Sequence, residues 1–213
     1  MKRSCCIALA LAALLLGPAA ARAQVFGQFT HAQTVPVNGH LFGAYLDASE
    51  NFFGVLTQLR LSFYPNVDFG FQGGLTRIDF GRSDATAVRL GGDFKYWSLR
   101  ASDGAPFDLA VGAGLGVDTG DRINVLMLGP SVVASRDLSI GSSTPVTPYV
   151  GVGLLISNLD VHDSESTDIS VPLKVGSEFR IAEELRLIAE FQFRIKDDFN
   201  DNLSFVTGVN LPF

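Results

Sequence analysis

Cysteine is nearly missing from this 213-residue chain: its two cysteines, Cys5 and Cys6, both fall within the first 23 residues. Those residues have the three parts of a secretory signal, with a basic start at Lys2 and Arg3, an apolar stretch from Ile7 to Leu16, and Ala21-Arg22-Ala23 before a cut at Gln24. The stretch is too short for a transmembrane helix, and Gly17-Pro18 breaks it where such a signal ends. After cleavage of residues 1–23, no thiol remains for a disulfide, a thiolate metal site or a cysteine nucleophile, and no cysteine stands at the new start to carry a lipid. Histidine is scarce as well. His31, His40 and His162 lie too far apart for metal-ligand spacing, so the sequence predicts neither a metal site nor a cofactor. Basic residues are few: losing Lys2, Arg3 and Arg22 leaves 13 of the 16 against 22 acidic ones, which moves the formal charge from −6 to 13 − 22 = −9. That balance excludes a nucleic-acid partner.

Long apolar runs are also absent after residue 23, since nothing there approaches the ~20 apolar residues of a membrane helix. Yet 47% of the chain is hydrophobic, with 22 glycines and 17 phenylalanines. The apolar content is spread in alternation, which is a strand signal. In 52–64, Phe53, Val55, Thr57, Leu59, Leu61 and Phe63 make one nearly apolar face, and Gly54, Gln58, Arg60, Ser62 and Tyr64 occupy most of the other. Successive side chains of a strand point to opposite faces, so the segment has an oily side and a wet side. The same holds for Phe107 to Val117 against Asp108, Ala110, Gly112, Gly114, Gly116 and Asp118, where small residues leave space on the wet side. It holds again for Leu185 to Ile195 against Arg186, Ile188, Glu190, Gln192, Arg194 and Lys196.

Ten such segments follow Asn38, near 38–47, 52–64, 66–80, 86–98, 106–118, 123–136, 146–158, 169–181, 184–197 and 203–213. The expectation is an all-β chain, an antiparallel transmembrane β-barrel of ten strands over 38–213. Eight strands are the alternative if the first segment and a weak one such as 123–136 are not strands. Residues 24–37 form a lead-in that fits a periplasmic tail, a lumen-filling segment or part of the first strand, because Pro36 cuts its short alternation. With both termini in the periplasm, Tyr64-Pro65-Asn66 and Ile181-Ala182-Glu183 become inner turns and the acidic stretch Asp160 to Asp168 an outer loop. Tyr64, Phe69, Trp97, Phe107 and Phe213 would then ring the inner boundary, and Tyr45, Phe53, Phe80 and Phe205 the outer one.

Opposite charges fix an expected register for the hairpin of 169–181 and 184–197. Pairing Arg180 with Glu184, Glu178 with Arg186 and Lys174 with Glu190 sets three opposite charges across from each other. A slide of two residues would instead oppose Arg180 and Arg186.

The chain ends on Leu203, Phe205, Thr207, Val209, Leu211 and Phe213, an alternating apolar face closing on an aromatic residue. Here the sequence resembles the bacterial outer-membrane β-barrel family, in particular the small porin-like barrels grouped with the OmpA transmembrane domain. The resemblance implies localisation in the bacterial outer membrane after export, with outer-membrane lipid and lipopolysaccharide around the barrel. It also implies that Phe205, Val209, Leu211 and Phe213 form the signal read by the barrel assembly machinery. Removing Phe213 should then lower outer-membrane levels and leave export intact. Pro212 departs from the family's usual strand composition and affects the pairing of the last two residues.

The charges expected to face the lumen are Arg60, Arg89, Asp93, Lys95, Asp108, Lys174, Glu178, Arg180, Arg186, Glu190, Arg194 and Lys196. They either line a narrow channel for small solutes or pair across a narrow lumen and fill it. No enzyme activity is expected. His162-Asp163-Ser164 has the residue types of a hydrolase triad, but consecutive residues cannot converge on one another, and Gly112, Gly114 and Gly116 are not followed by the helix of a phosphate loop. The functional expectation is therefore a structural scaffold or narrow porin-like channel. A lipid-modifying or hydrolytic outer-membrane enzyme and a loop-based adhesin are the alternatives.

Overall fold

The computed structural model describes residues 29–79, 84–120, 123–140, 144–161, 164–195 and 203–213. The signal segment 1–23, Phe80, His162 and Lys196 lie outside the described residues. Among the described residues thirteen strands occur in chain order: β1 (His40–Ser49), β2 (Phe52–Tyr64), β3 (Val67–Asp79), β4 (Asp84–Leu99), β5 (Asp108–Gly120), β6 (Ile123–Ser135), β7 (Leu138–Ile140), β8 (Thr144–Gly153), β9 (Leu155–Val161), β10 (Ser164–Ser170), β11 (Pro172–Ala182), β12 (Leu185–Arg194) and β13 (Leu203–Pro212). Ten of them, β1 to β6 with β8, β11, β12 and β13, form a closed antiparallel ring in which β13 pairs back onto β1.

The three short strands outside that ring extend its members without changing register. Ser131↔Gly153 of β6–β8, Asn124↔Asp160 of β6–β9 and Leu138↔Val146 of β7–β8 all have partner numbers adding to 284. Leu173↔Val152 of β11–β8 and Ser164↔Val161 of β10–β9 both add to 325. Thus β8 and β9 behave as one long strand interrupted at Leu154, and β10 and β11 as one interrupted at Val171. Segment 123–136 is a full strand, which removes the eight-strand alternative.

Alternation places the apolar face outside. Phe53, Phe71, Leu75, Leu90, Leu115, Leu126, Val150, Val175, Phe191 and Leu203 are all large, apolar and exposed, while Arg60, Arg89, Lys95, Asp68 and Glu190 are buried. A water-soluble barrel has the opposite arrangement, with its charges outside and its oil inside. Closure gives every ring strand a neighbour on both sides and leaves no open edge, as a bilayer requires.

Three sequence expectations are corrected. First, β11 and β12 pair with Arg180 opposite Arg186, not Glu184, so Glu178 faces Ile188 and Lys174 faces Gln192. Glu178 still reaches Arg186 diagonally, at 3.0 Å, and its other partners come from outside the hairpin. Second, most of the acidic stretch Asp160 to Asp168 is strand: β9 continues to Val161 and β10 starts at Ser164, extending the 325 register beyond the apolar band. Third, Tyr45 belongs to no outer aromatic girdle, because it shares the inward parity of Leu41, Gly43 and Asp47 and is buried in the lumen.

Pro212 leaves the end of β13 intact. Phe213 and His40 exchange both backbone hydrogen bonds at 3.0 Å, so the missing N–H of Pro212 points toward β12, whose first residue is already past that level.

Candidate functional site: the filled lumen

The lumen is built by residues of one parity from each strand, and its two halves differ. Toward the rim where β1 ends and β2 begins, Phe52, Ile78, Ala85, Ala87, Ile123, Val125, Met127 and Leu155 form an apolar cluster inside the ring. Toward the opposite rim, where β1 starts and β13 finishes, the interior is charged and a peptide segment runs through it.

Arg60 on β2 is the centre of the charged half, with no exposed surface. Its Nε donates to Asp68 Oδ1 at 3.1 Å, and its Nη2 and Nη1 donate to Asp93 Oδ1 and Oδ2 at 2.8 and 3.2 Å. Lys95 Nζ lies 3.5 Å from the other oxygen of Asp68. Two cations and two carboxylates therefore neutralise one another, as buried charges must to offset desolvation. Nearer the apolar cluster, the Arg89 guanidinium is paired with Asp118, with Nε donating to Oδ1 at 2.6 Å. Across the lumen Glu190 accepts from the Tyr149 hydroxyl at 2.8 Å, and Lys174 Nζ lies 5.7 Å from the centre of the Tyr149 ring.

Glycines on the same parity make room for these side chains. A Cβ on Gly70 would fall 2.3 Å from Asp93 Oδ2 and 2.6 Å from Arg60 Nη1, and one on Gly176 would fall 2.5 Å from the Tyr149 ring. Small wet-face residues thus provide space, and long neighbours occupy it.

Segment 29–36 fills what remains, resolving the open placement of the lead-in for these residues. Lys95 Nζ donates to Thr30 Oγ1 at 3.0 Å and to the carbonyls of His31 and Gln33 at 3.1 and 2.7 Å. The segment is also held by Val35 N to Asp68 Oδ2 at 3.0 Å, Ala32 N to Ser135 Oγ at 3.1 Å, and Gln33 Nε2 to Asp108 Oδ2 at 3.0 Å. Asn210 Nδ2 donates to the Phe29 carbonyl at 3.2 Å, and His31 Nε2 lies 3.3 Å from Glu178. The Phe29 ring packs 4.4 Å from Tyr45, with Leu56, Ile188 and Val206 around it. Polar anchors from six ring strands, β3 to β6 with β11 and β13, therefore hold this segment.

Of the charges named from sequence, Arg60, Arg89, Asp93, Lys95, Asp108, Lys174, Glu178, Glu190 and Arg194 are buried inside the ring. Arg180 is exposed at the rim, and Arg186 is partly exposed. Sequence reasoning missed Asp68 and Asp118 as lumen partners, although each has the inward parity of its strand. It also missed His31, Tyr149 and Asn210, whose partners lie on segments far away in the chain. At the far end of the chain Phe213 is 71% exposed and stacks on His40 with ring centres 5.3 Å apart; Phe205 and Leu211 share its outward face. Among the described residues no cluster of His, Cys, Asp and Glu has the makings of a metal site.

No protein-family model matches this chain, and no curated protein matches it. Among solved structures, it is similar to the N-terminal β-barrel domain of Pseudomonas aeruginosa OprF, at 12% identity over 83% of this chain and 98% of that one, with a TM-score of 0.39. It is also similar to the β domain of the Bordetella autotransporter BrkA, at 13% identity over 82% and 99%, with a TM-score of 0.47. A third similarity is to an outer membrane channel from Pseudomonas putida F1, at 8% identity over 85% and 98%, with a TM-score of 0.44. At these values the likeness adds nothing to the ring of hydrogen bonds, which stands by itself.

Proposed function

We propose that this chain is an integral outer-membrane β-barrel acting as a closed structural scaffold rather than an open channel. The apolar exterior around a charged interior supports the membrane setting, and the signal-like start supports export to it. Outer-membrane lipid and lipopolysaccharide are its surroundings in this reading. The outward face of Phe205, Val209, Leu211 and Phe213 is its contact with the barrel assembly machinery.

The observation that carries the scaffold reading is the threefold grip of Lys95 on segment 29–36. Ten strands enclose little space once long side chains enter, and here a peptide is added to paired charges. The test is electrical. Folded protein, verified by heat-modifiable gel migration, should be silent in a planar bilayer, whereas Lys95→Met should release the segment and give conductance steps. Stable steps from the unaltered barrel would sink the scaffold reading and favour a narrow channel for small solutes.

A further inference from the structure

The rim beside the lumen segment contains an arrangement that neither a scaffold nor a channel needs. Arg180 and Arg186 stand directly opposite each other in the β11–β12 ladder, on the inward parity. Like charges placed directly across a ladder destabilise it. A register two residues away would have set opposite charges there instead. Arg186 gives Nη1 to Glu178 at 3.0 Å, while its Nε is buried without a hydrogen-bond partner. No ion pair among the described residues includes Arg180.

Both arginines line a cavity of about 130 Å³, whose wall also includes His31, Gln33, Glu178 and the paired cations Arg60 and Lys95. That is several times the ~30 Å³ a water molecule occupies in the liquid. Among the described residues Glu178 is the one carboxylate on this wall, and its charge is already engaged by His31 at 3.3 Å, Arg186 at 3.0 Å and Asn210 at 3.3 Å. Two arginines opposite each other in the ladder and on one cavity wall, one with an unused buried donor, suit an oxyanion with several acceptor oxygens.

We propose that this rim cavity binds a phosphate group between Arg180 and Arg186. The group would be either free phosphate or the phosphate of a phospholipid headgroup at the adjacent bilayer surface. Binding would relieve the opposed charges and add a clasp next to the segment that fills the lumen.

Inorganic phosphate is the first probe, titrated calorimetrically into the folded protein in detergent, in chloride buffer of matched ionic strength. Arg180→Gln is the first variant, because Arg180 is exposed and its loss should leave the barrel folded. Arg180→Lys is the conservative control. The second arm reconstitutes the same proteins in nanodiscs with and without phosphatidylglycerol and measures retained lipid by native mass spectrometry. Saturable phosphate binding that weakens tenfold or more in Arg180→Gln and partly recovers in Arg180→Lys supports the site with free phosphate as its ligand. Lipid retention that falls in Arg180→Gln, without phosphate binding, supports it with a headgroup as its ligand. Phosphate binding and lipid retention that are both absent, or both unchanged in heat-modifiable Arg180→Gln, overturn the proposal. None of these readouts depends on conductance, so failure of this site and failure of the scaffold reading are separable.

Discussion

The two sides of the barrel wall are built to different standards. From β1 to β5 no strand contains a proline, and β3 and β4 pair over thirteen consecutive positions, Val67↔Tyr96 to Asp79↔Asp84, without a break. From β6 onward prolines stand at 130, 145, 148, 172 and 212, and the strands are interrupted at 136–137, Leu154 and Val171. Two of these prolines act on one spot. In an antiparallel ladder the N–H and C=O of a residue point to the same neighbour. Leu154 donates its N–H to Pro130 O at 3.0 Å, so its own carbonyl faces Pro130, which has no N–H to return. The next residue back, Gly153, is turned the other way and faces Pro172, which also has none. Two consecutive carbonyls on opposite edges of one strand thus lose their ladder donors, at mid-wall and beneath an apolar exterior. The continuous wall carries the charged quartet of Arg60, Asp68, Asp93 and Lys95, so the side with the most demanding interior has the uninterrupted strands, and its register shifts, at Leu61/Tyr64 and Trp97/Leu99, fall at strand ends.

The largest expected effect comes from filling the space at this seam. A Cβ on Gly129 would lie 1.9 Å from the Leu154 carbonyl oxygen and 3.2 Å from Leu155 Cα, so backbone must move to admit it. A Cβ on Gly54, on the inward face of the continuous wall, meets the edge of the Phe52 ring at 3.1 Å, a side chain that can turn. Gly129→Ala is expected to cost about 1–3 kcal/mol of barrel stability, in the range of overpacking a filled interior, and Gly54→Ala less than about 1 kcal/mol. Urea unfolding followed by heat-modifiable migration in vesicles gives both numbers. Equal costs would mean that the interrupted wall adjusts as readily as a side chain does, and the contrast between the walls would be lost.

How much of this was legible in the sequence depends on how local each feature is. The ten strands were, because alternation is written into each segment separately. The Arg180–Arg186 opposition was not: the charge-pair rule saw only the hairpin, whereas Glu178 takes His31 and Asn210 and Glu190 takes Tyr149, from elements that adjoin only after closure. The acidic composition of Asp160 to Asp168 suggests a loop, but a strand that has left the apolar band is free to be polar on both faces. Tyr45 could have been placed correctly by parity, since it shares a face with Gly43 and Asp47. The lumen segment had no local signal, because most of the hydrogen bonds that hold residues 29–36 go to backbone carbonyls and amides, which every sequence has. Lys95 and Asp68 offered the indirect clue: inward charges whose hydrogen-bonding capacity exceeds what their own strands supply.

A smaller effect distinguishes a seam that costs stability from one that is merely irregular. Pro130→Val and Pro172→Val each restore an N–H opposite a carbonyl that now lacks a ladder donor. One recovered hydrogen bond contributes about 0.5–1.5 kcal/mol. Against it stands the greater freedom that the unfolded chain gains when a proline is lost, about 0.4–1 kcal/mol. The net expectation is a gain of a few tenths of a kcal/mol for each change, with the two gains not simply adding because both act on the strand at Gly153-Leu154. A sharper readout is hydrogen exchange, which follows local opening rather than the global balance. Amides of 150–157 should exchange faster than those of 69–76 in the unaltered protein, and the double variant should slow them toward the continuous wall. Fast exchange that survives both substitutions would place the weakness in the strand breaks themselves, at Leu154 and Val171, and acquit the prolines beside them.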